Sequence, residues 1–435
     1  MNFRPELSWE FLSLDQIEAR TLRALRNHVK YLKESSAYYK NALWDVSADD
    51  IKSIGDFERL KFTTTQTVAD NLPKFIAADR TQIVETVTTN GSSGNPLIFP
   101  LTANDLDRLA FNEALSFHGA GICNEDAAQI MISFDRHCFA SMAYYRGLAL
   151  LGCNTMRTGV LALDEQRFYI DQLKPSVVVA VPSFLKKLAL DLQKKQIDPA
   201  ISSIRKIICT GESLRDCEME LNAIGKSIQE LWGAEVYSSY SSTEASVSYC
   251  ECEACQGGHA HPELVYTEIV DERGNVLPDG KAGELVVTPL GVEGLPLLRY
   301  RTGDITFKIT SPCSCGRNSL RIGPILGRAC QLIKYRGGTV YPLIITNALD
   351  AIEEINDYIL VIESDNSSSD QVAIHIATTP ASVEKIANHL REVAGVNFPI
   401  LVSNVPTIQS MRGSSREKTR ILDWRKKSGT AEVLQ

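Results

Sequence analysis

The sequence lacks the features that define several large classes of protein. Its formal net charge at pH 7 is -8, which disfavours a general nucleic-acid binder, because such a protein needs a basic face. The N-terminal segment MNFRPELSWEF has neither the basic start nor the apolar core of a signal peptide. No apolar run approaches the ~18 residues that a membrane-spanning helix needs. We therefore expect a cytoplasmic protein with no membrane or nucleic-acid partner.

What the sequence does contain predicts a globular protein with more than one domain. Hydrophobic residues make up 44% of the 435 residues and charged residues 23%, which is typical of well-cored domains. Single cores rarely grow much past ~300 residues, so we expect at least two. A cytoplasmic location disfavours disulfides among the 11 cysteines. Their clustering then becomes a signal for metal binding.

Short β-rich runs alternate with helix-like stretches in the middle of the chain, which predicts βαβ units and a mostly parallel sheet. The β-rich runs are Ala128–Ser133, Ser176–Val181, Ile204–Thr210 and Ala234–Tyr240. The helix-like stretches are 139–151, 163–173, 183–195 and 214–230. Residues from about 9 to 45 read as two surface helices. Turn residues between strand-like runs from about 264 to 310 predict an antiparallel region.

The chain after Gly327 reads as a separate, smaller α+β domain. Two strand-like runs, 358–363 and 371–377, flank a polar serine loop, and a helix-like stretch follows at 380–394. The predicted fold class is therefore α/β, with a large N-terminal α/β domain that contains parallel and antiparallel sheets. The small C-terminal α+β domain completes the chain.

A run of small residues, hydroxyls and glycines lies between two apolar stretches at Thr86–Phe99 (TVTTNGSSGNPLIF). Hydroxyls and backbone N–H groups supply donors for phosphate oxygens, and glycines let the backbone approach them. The Gly-Lys-Ser/Thr of a Walker loop is missing. Taken alone, the segment fits either a phosphate loop or a simple hairpin turn.

Five segments together resemble the adenylate-forming superfamily, and specifically the phenylacetate–CoA ligase family. They are TTNGSSGNP (88–96), TGESL (210–214), YSSYSSTE (237–244), PLLRYRTGD (296–304) and ILGRACQLIKYRGGTVYP (325–342). They stand in the family's order, and the resemblance covers about residues 10 to 425. It implies an adenylation domain at 1–326 and a mobile lid domain at 327–435.

The resemblance implies roles for individual residues around ATP. Ser92, Ser93 and Gly94 would hold the β- and γ-phosphates, and Thr243 would donate to the α-phosphate. Glu244 would help to hold Mg²⁺, a hard cation that prefers carboxylate oxygen. The alternative for Glu244 is a plain acid at a helix N-terminus.

The nucleoside end of ATP would be bound by a second group of residues, again by resemblance. Asp304 would bind the ribose hydroxyls and Arg328 the ribose or phosphate, unless the two residues form an ion pair between domains. Tyr240 would stack on the base or close the acyl pocket. The remaining predicted nucleotide-binding residues are Gly211, Glu212, Ser213, Ser239 and Ser241.

Lys418 matches the lysine that completes the family's adenylation site, with Arg420 as a helical neighbour. A lysine can bridge a carboxylate and the α-phosphate as a point charge. Glu417 stands where the family has glycine, so a solvated basic helix face remains the alternative. Two other departures are Cys330 at the expected hinge and Thr65, where related ligases often have lysine.

Two cysteine-rich segments, CECEACQGGHAHPE (250–263) and SPCSCGR (311–317), offer five thiols and two imidazoles. Zinc prefers four such ligands at short spacings, and the alternative is a set of reduced cysteines in an exposed hairpin. Cys313 and Cys315 are the first choice, and the resemblance adds Cys252 and His259. The substitutes are Cys250, Cys255 and His261. No open position or general base is evident, so we expect a structural site within about 250–317.

The function that these features imply is an ATP-dependent acid–CoA ligase. It would activate a carboxylic acid as an acyl-adenylate and transfer the acyl group to coenzyme A, with ATP/AMP, Mg²⁺ and structural Zn²⁺ as cofactors. By resemblance the acid would be aryl, similar to phenylacetate, and the protein could be a homodimer. The alternatives are an adenylating enzyme with a carrier-protein or amine acceptor, and a non-catalytic nucleotide-binding regulatory protein.

Overall fold

A computed structural model describes residues 4–89, 96–134, 139–335, 338–352, 354–364, 370–412 and 420–425. The chain divides into two compact units. The first consists of Met1–Arg215 and Ile224–Pro324, and the second of Asp216–Ala223 and Ile325–Gln435. In the described part of the chain, no helix combines the length and apolar character that a membrane crossing requires.

The helices of the first unit lie mostly before and between the strands of its main sheet. They are α1 (Leu14–Ser35), α2 (Ala37–Ala42), α3 (Ile54–Phe57), α4 (Thr65–Phe75), α5 (Ala103–Gly119), α6 (Phe139–Leu151), α7 (Leu163–Leu173), α8 (Pro182–Lys194) and α9 (Ala223–Trp232). Those of the second unit are α10 (Pro342–Asp350), α11 (Val383–Ala394) and α12 (Val405–Arg412).

The strands of the first unit form a hairpin and two larger sheets. They are β1 (Ile83–Thr88), β2 (Ile98–Thr102), β3 (Ala127–Ile130), β4 (Asn154–Arg157), β5 (Val177–Ala180), β6 (Lys206–Thr210), β7 (Glu235–Ser242), β8 (Val247–Glu251), β9 (Gly258–His259), β10 (Val265–Val270), β11 (Gly283–Pro289), β12 (Tyr300–Thr306), β13 (Lys308–Ile309) and β14 (Arg321–Ile322).

The strands of the second unit are fewer and follow the same chain order. They are β15 (Gly327–Arg328), β16 (Ile333–Tyr335), β17 (Gly338–Val340), β18 (Asp357–Ser364), β19 (Asp370–Ala377), β20 (Ile400–Ser403) and β21 (Ile421–Asp423).

The main sheet changes from parallel to antiparallel pairing at β7. Its strand order is β13-β14-β9-β8-β7-β6-β5-β3-β4. The strands from β4 to β7 pair in parallel, whereas β7 pairs antiparallel with β8 and β8 with β9. Val177, Val178 and Val179 are completely buried, as expected for a parallel strand covered on both faces. The carboxyl ends of β6 and β7 therefore meet at one edge, where open α/β sheets bind ligands.

The second sheet of the first unit contains the antiparallel pairs β10–β11 and β11–β12. Arg299, which directly precedes β12, is 1% exposed and pairs with Glu268 of β10 at 2.6 Å. Its guanidinium also lies 4.1 Å from the centre of the Phe62 ring. Because a buried cation requires a partner, this pair fixes where β12 begins.

The second unit is a small mixed sheet with helices. Strands β18 and β19 pair antiparallel over Asp357–Ser364, while β20 lies parallel to β19 and β21 parallel to β18. Buried residues of β18, β19 and α11 form one apolar core, including Leu360, Ile374 and Ile386. The predicted α/β fold class, with parallel and antiparallel sheets, is thus confirmed.

Most predicted elements are present, but one helix begins later than expected. The stretch 214–230 was predicted as a helix, whereas α9 begins only at Ala223. Met219 has φ +68°, a left-handed conformation that interrupts a helix. The carboxylate of Asp216 accepts from the backbone N–H of Glu218 and of Glu220, both at 3.0 Å. Such local bonds compete with helical ones.

Helices α5 and α6 pack closely because Gly147 has no side chain. A Cβ at this position would lie 2.3 Å from Glu113 Cβ and 3.0 Å from the α5 backbone. We predict that Gly147→Ala lowers the free energy of unfolding by about 1–3 kcal/mol through overpacking, although alanine favours helices by ~1 kcal/mol. Thermal or urea unfolding measures this.

Gly55→Ala in α3 is the matched control, because its nearest neighbour would be Ser53 Oγ at 3.7 Å. This variant should unfold at the wild-type midpoint or slightly above it. A Gly147→Ala protein as stable as the Gly55→Ala protein would contradict the close packing of the two helices.

Candidate functional site

The turn after β6 contains the predicted adenine-side residues. Gly211 has φ +81°, a left-handed conformation that a glycine adopts without strain. The carboxylate of Glu212 accepts from Ser183 N–H at 2.9 Å and from Ser183 Oγ at 2.7 Å. Glu212 therefore caps the start of α8, and Ser213 Oγ donates to the carbonyl of Arg215 at 3.0 Å.

The turn after β7 contains Thr243 and Glu244 and leads directly into β8. Ser246 has φ +51°, and its N–H bonds back to the carbonyl of Ser242 at 3.1 Å. Because no helix follows Glu244, its reading as a helix N-terminal acid is wrong. Both predicted catalytic residues of this turn lie at the carboxyl edge of the main sheet.

A buried arginine holds that turn in place. Arg108 of α5 donates to the backbone carbonyls of Ser246, Leu264 and Leu290, the last at 2.6 Å. Burial lowers the pKa of Arg108 to about 10, so the guanidinium stays charged at neutral pH. Its three carbonyl contacts tie the turn to α5 and to the second sheet.

Tyr240 and Asp304 were predicted separately and lie in contact. The Tyr240 hydroxyl donates to Asp304 Oδ2 at 2.7 Å, and Asp304 is buried, at 7% exposure. Burial, and then the negative charge of Asp304, raise the pKa of Tyr240 well above its ordinary value. The phenol therefore remains a donor across the neutral range. This bond joins the main sheet to β12.

Ser239 and Ser241 lie on the face of β7 opposite Tyr240, since side chains alternate along a strand. Tyr144 of α6 approaches this face, and its hydroxyl lies 3.0 Å from Thr210 Oγ1 and 3.4 Å from Ser241 Oγ. Tyr144 is completely buried. Ser241 is thus linked to α6.

Four predicted residues lie outside the described residues: Ser92, Ser93, Gly94 and Lys418. The strands that flank the first three form an antiparallel hairpin, β1–β2. Thr89 continues it, with Thr89 N–H donating to the Leu97 carbonyl at 3.0 Å. The phosphate-loop interpretation of the segment between these strands stays a prediction.

The residues around Lys418 and the hinge belong to the second unit. Arg420 donates to the Tyr358 hydroxyl at 2.7 Å and pairs with Asp350. It precedes β21, so its interpretation as a helical neighbour of Lys418 is wrong. Arg328 lies on β15 and is exposed. In the first unit, the hydroxyl of Thr65 lies 2.7 Å from that of Tyr300.

The four predicted metal ligands come together in space. One ligand atom from each of Cys252, His259, Cys313 and Cys315 lies within 4.8 Å of the other three. Cys252 directly follows β8, His259 is on β9, and the two other cysteines are in the loop between β13 and β14. The pairing of β8 with β9 and of β9 with β14 therefore builds the cluster.

Close contacts within the cluster involve the atoms that bind metals. Cys252 Sγ lies 3.6 Å from Cys313 Sγ, and Cys315 Sγ lies 3.5 Å from His259 Nε2. Of the substitutes, His261 has another partner, since its Nε2 lies 3.0 Å from Ser116 Oγ, and Cys250 on β8 is buried. Cys255 has φ +54° and is partly exposed.

Sequence reasoning missed a buried carboxylate beside this cluster. Glu10 is 0% exposed, with Oε1 3.2 Å from His261 Nδ1 and Oε2 3.4 Å from Arg317 Nε. Burial raises the pKa of Glu10, but the charges of His261 and Arg317 more than offset this and lower it to about 2. Nothing in the N-terminal sequence identified Glu10, because its partners lie about 250 to 310 residues away.

Comparison with known proteins identifies the family. The family model for AMP-binding enzymes matches residues 35–292. The chain belongs to the AMP-binding enzyme family. The matched range includes the hairpin, the turn after β6 and the turn that contains Thr243 and Glu244. The predicted membership of the adenylate-forming superfamily is thus confirmed.

This AMP-binding enzyme is similar to phenylacetate-coenzyme A ligases over nearly its whole length. It is 27% identical to the one from Thermus thermophilus, over 98% of this chain and 100% of that protein. It is 23% identical to the one from Escherichia coli K12, over 96% and 97% of the two chains. The sequence-predicted likeness to this group is confirmed.

Solved structures show the same fold. A crystal structure of 2-hydroxyisobutyryl-CoA ligase in the postadenylation state, in complex with 2-HIB-AMP, has a TM-score of 0.83 at 21% identity, over 96% of this chain and 91% of that one. ATP-bound MatB from Rhodopseudomonas palustris has a TM-score of 0.56 at 16% identity, over 80% and 68%.

Glu113 of α5 is a second buried acid, and it should make stability depend on pH. Its carboxylate lies 3.0 Å from Ser248 Oγ and 3.1 Å from Asn112 Nδ2. Burial, opposed by these hydrogen bonds, raises its pKa to about 7. Because the folded state then holds the proton more tightly than the unfolded state, this residue destabilises the fold as pH rises from about 4.5 through 7.

We predict that Glu113→Gln, a neutral isostere, gains stability relative to wild type as the pH increases from 5 to 8, by up to about 3 kcal/mol. Urea unfolding at several pH values measures the difference. The exposed Glu125→Gln should show no such trend. A Glu113→Gln effect that is constant with pH would contradict the raised pKa.

Proposed function

We propose that this enzyme is an ATP-dependent acid–CoA ligase that works through an acyl-adenylate. The observation that carries the proposal is that two features lie together at one sheet edge. One is the turn that contains Thr243 and Glu244, and the other is the 2.7 Å hydrogen bond between Tyr240 and Asp304. These are the residues that the family resemblance assigns to phosphate, Mg²⁺ and ribose. Acid–CoA ligases among both the relatives and the structural neighbours support it.

The first half-reaction joins two anions, so its residues must offset negative charge. A carboxylate oxygen of the acid attacks the α-phosphorus of ATP, an O–P bond forms, and pyrophosphate leaves. Thr243 donates to the α-phosphate, and Ser92, Ser93 and Gly94 bind the outgoing phosphates. Lys418 would place a positive charge between the carboxylate and the α-phosphate.

The carboxylate of Glu244 would hold Mg²⁺, which would supply positive charge to offset that of the phosphates. At the other end of the nucleotide, Asp304 accepts from the ribose hydroxyls. Tyr240 would stack on the base or close the acyl pocket, and its hydroxyl donates to Asp304. Gly211, Glu212 and Ser213 line the adenine, and Arg328 binds the ribose or the phosphate.

The second half-reaction transfers the acyl group. The sulfur of coenzyme A attacks the acyl carbon, the thiol proton is released, and AMP leaves with the oxygen that came from the carboxylate. The substrate class that we propose is an aryl acid similar to phenylacetate. The support for it is the likeness to phenylacetate-coenzyme A ligases, which spans nearly the whole chain.

The cysteine–histidine cluster is proposed as a structural zinc site. A tetrahedron with Zn–S bonds of ~2.3 Å places its sulfurs ~3.8 Å apart, which fits the 3.6 Å between Cys252 Sγ and Cys313 Sγ. Three thiolates and one imidazole complete the preferred ligand set. The zinc would join β9 to the loop between β13 and β14. The homodimer and the cytoplasmic location stay predictions.

Pyrophosphate release tests the ligase most simply. With ATP, Mg²⁺ and a panel of aryl and aliphatic acids, we expect release that depends on an aryl acid, followed by thioester formation when coenzyme A is present. Release without a thioester would indicate a carrier-protein or amine acceptor. No release despite ATP binding would contradict the ligase and favour the regulatory alternative.

We predict that Lys418→Ala lowers the rate of pyrophosphate release by at least about 100-fold, since it removes a charge used in the transition state. ATP binding, measured by calorimetry, should change little. Lys385→Ala, in the exposed pair with Glu354, is the control and should keep the wild-type rate. Equal rates in the two variants would exclude the proposed role of Lys418.

The zinc proposal predicts about one zinc per chain after purification without added metal, measured by mass spectrometry of the metal content. Cys313→Ser should retain much less zinc and unfold at a lower temperature, because a hydroxyl is a poor zinc ligand. Cys123→Ser, at an exposed cysteine outside the cluster, is the control. Wild-type protein that contains no zinc, and whose unfolding temperature does not change when zinc is added, would contradict the site.

A further inference from the structure

Glu10 reaches the metal cluster through one serine. Ser319 Oγ lies 2.9 Å from His259 Nδ1 and 3.5 Å from Glu10 Oε1. The three groups thus form a line from a buried carboxylate to the histidine of the cluster. All three side chains are at most 4% exposed, so water competes little for these hydrogen bonds.

The chemistry of the three groups fixes the direction of both hydrogen bonds. An ionised carboxylate can only accept, so the Ser319 hydroxyl must donate to Glu10. With its single proton used in this way, Ser319 can only accept from His259, and Nδ1 must carry the imidazole proton. The neutral ring then has its lone pair on Nε2, the nitrogen that lies 3.5 Å from Cys315 Sγ.

We propose that Glu10 is a positioning residue that sets the tautomer of His259, through Ser319, so that Nε2 is the metal ligand. This assignment rests on the metal centre proposed above. Metal-bound histidines commonly donate their other N–H to an outer group that orients the ring. Here the outer group comes from the N-terminal segment Ser8–Leu12, far from the cluster in sequence.

The same segment is held against the cluster loop by its backbone. Asn318 N–H donates to the Glu10 carbonyl at 2.7 Å, and Asn318 Nδ2 donates to the Leu12 carbonyl at 3.0 Å. Ser8 Oγ donates to Glu263 at 2.8 Å. Arg317 completes the arrangement, with Nε 3.4 Å from Glu10 and its guanidinium 5.0 Å from the Phe11 ring centre.

Glu10→Gln tests the direction of the two hydrogen bonds that join Glu10, Ser319 and His259, because the Glu and Gln side chains have nearly the same shape. The glutamine amide can donate to Ser319, which lets the serine hydroxyl donate to Nδ1 and moves the imidazole proton to Nε2. We expect the affinity for Zn²⁺, measured on the full-length protein by competition with a chromophoric chelator, to fall 10- to 100-fold. The visible spectrum of the Co²⁺-loaded protein should change with it.

Ser319→Ala is the second variant, and it decides the outcome if Glu10→Gln fails to fold. It should weaken Zn²⁺ binding to a similar extent. The double variant should bind Zn²⁺ no more weakly than either single variant, because both substitutions disrupt the same pair of hydrogen bonds. Glu6→Gln, at an exposed glutamate of the same segment, should bind within about two-fold of wild type.

If Glu10→Gln and Ser319→Ala both bind Zn²⁺ within two-fold of wild type, the tautomer assignment of His259 is overturned. The proposed metal centre is not affected by that result. A wild-type protein that binds no Zn²⁺ would overturn the metal centre and the assignment together. Acid-dependent pyrophosphate release, measured on the same preparations, separates both results from a failure of the ligase proposal.

Discussion

The alternation of side chains along β7 is the constraint on which the candidate nucleotide site and the cysteine–histidine cluster both depend. This strand pairs in parallel with β6 on one side and antiparallel with β8 on the other. One face carries Tyr240 toward Asp304, and the opposite face carries Ser241 toward Tyr144. A shift of one residue in register would exchange the two faces, and it would also move the strands that build the cysteine–histidine cluster.

Besides the sheet, buried charged side chains specify how the segments around the two candidate sites are arranged. Arg108 holds the turn that contains Thr243 and Glu244 through three carbonyls, and Arg299 with Glu268 fixes the start of the strand that contains Asp304. Glu10 sits between Arg317 and His261 next to the cluster. A buried ion is costly without partners, so each of these groups specifies one arrangement of the surrounding segments. They connect parts of the chain that are far apart in sequence.

The sequence allowed most of the fold to be predicted, and candidate site residues to be named, because the signals for both are local. Alternating strand and helix patterns located most elements between 127 and 242, and short strings such as RYRTGD pointed to Asp304. The late start of α9 was not predictable from periodicity, because it depends on the left-handed conformation at Met219. Arg108 and Glu10 were missed since their partners are known only after folding.

An acyl-adenylate forms only if a carboxylate oxygen attacks the α-phosphorus of ATP. An acid labelled with ¹⁸O in its carboxylate tests this directly, with coenzyme A and ATP present and the products examined by mass spectrometry. One ¹⁸O atom should appear in AMP, because the acyl carbon loses that oxygen when the thioester forms. Label in inorganic phosphate instead, or thioester formation with none in AMP, would contradict an acyl-adenylate.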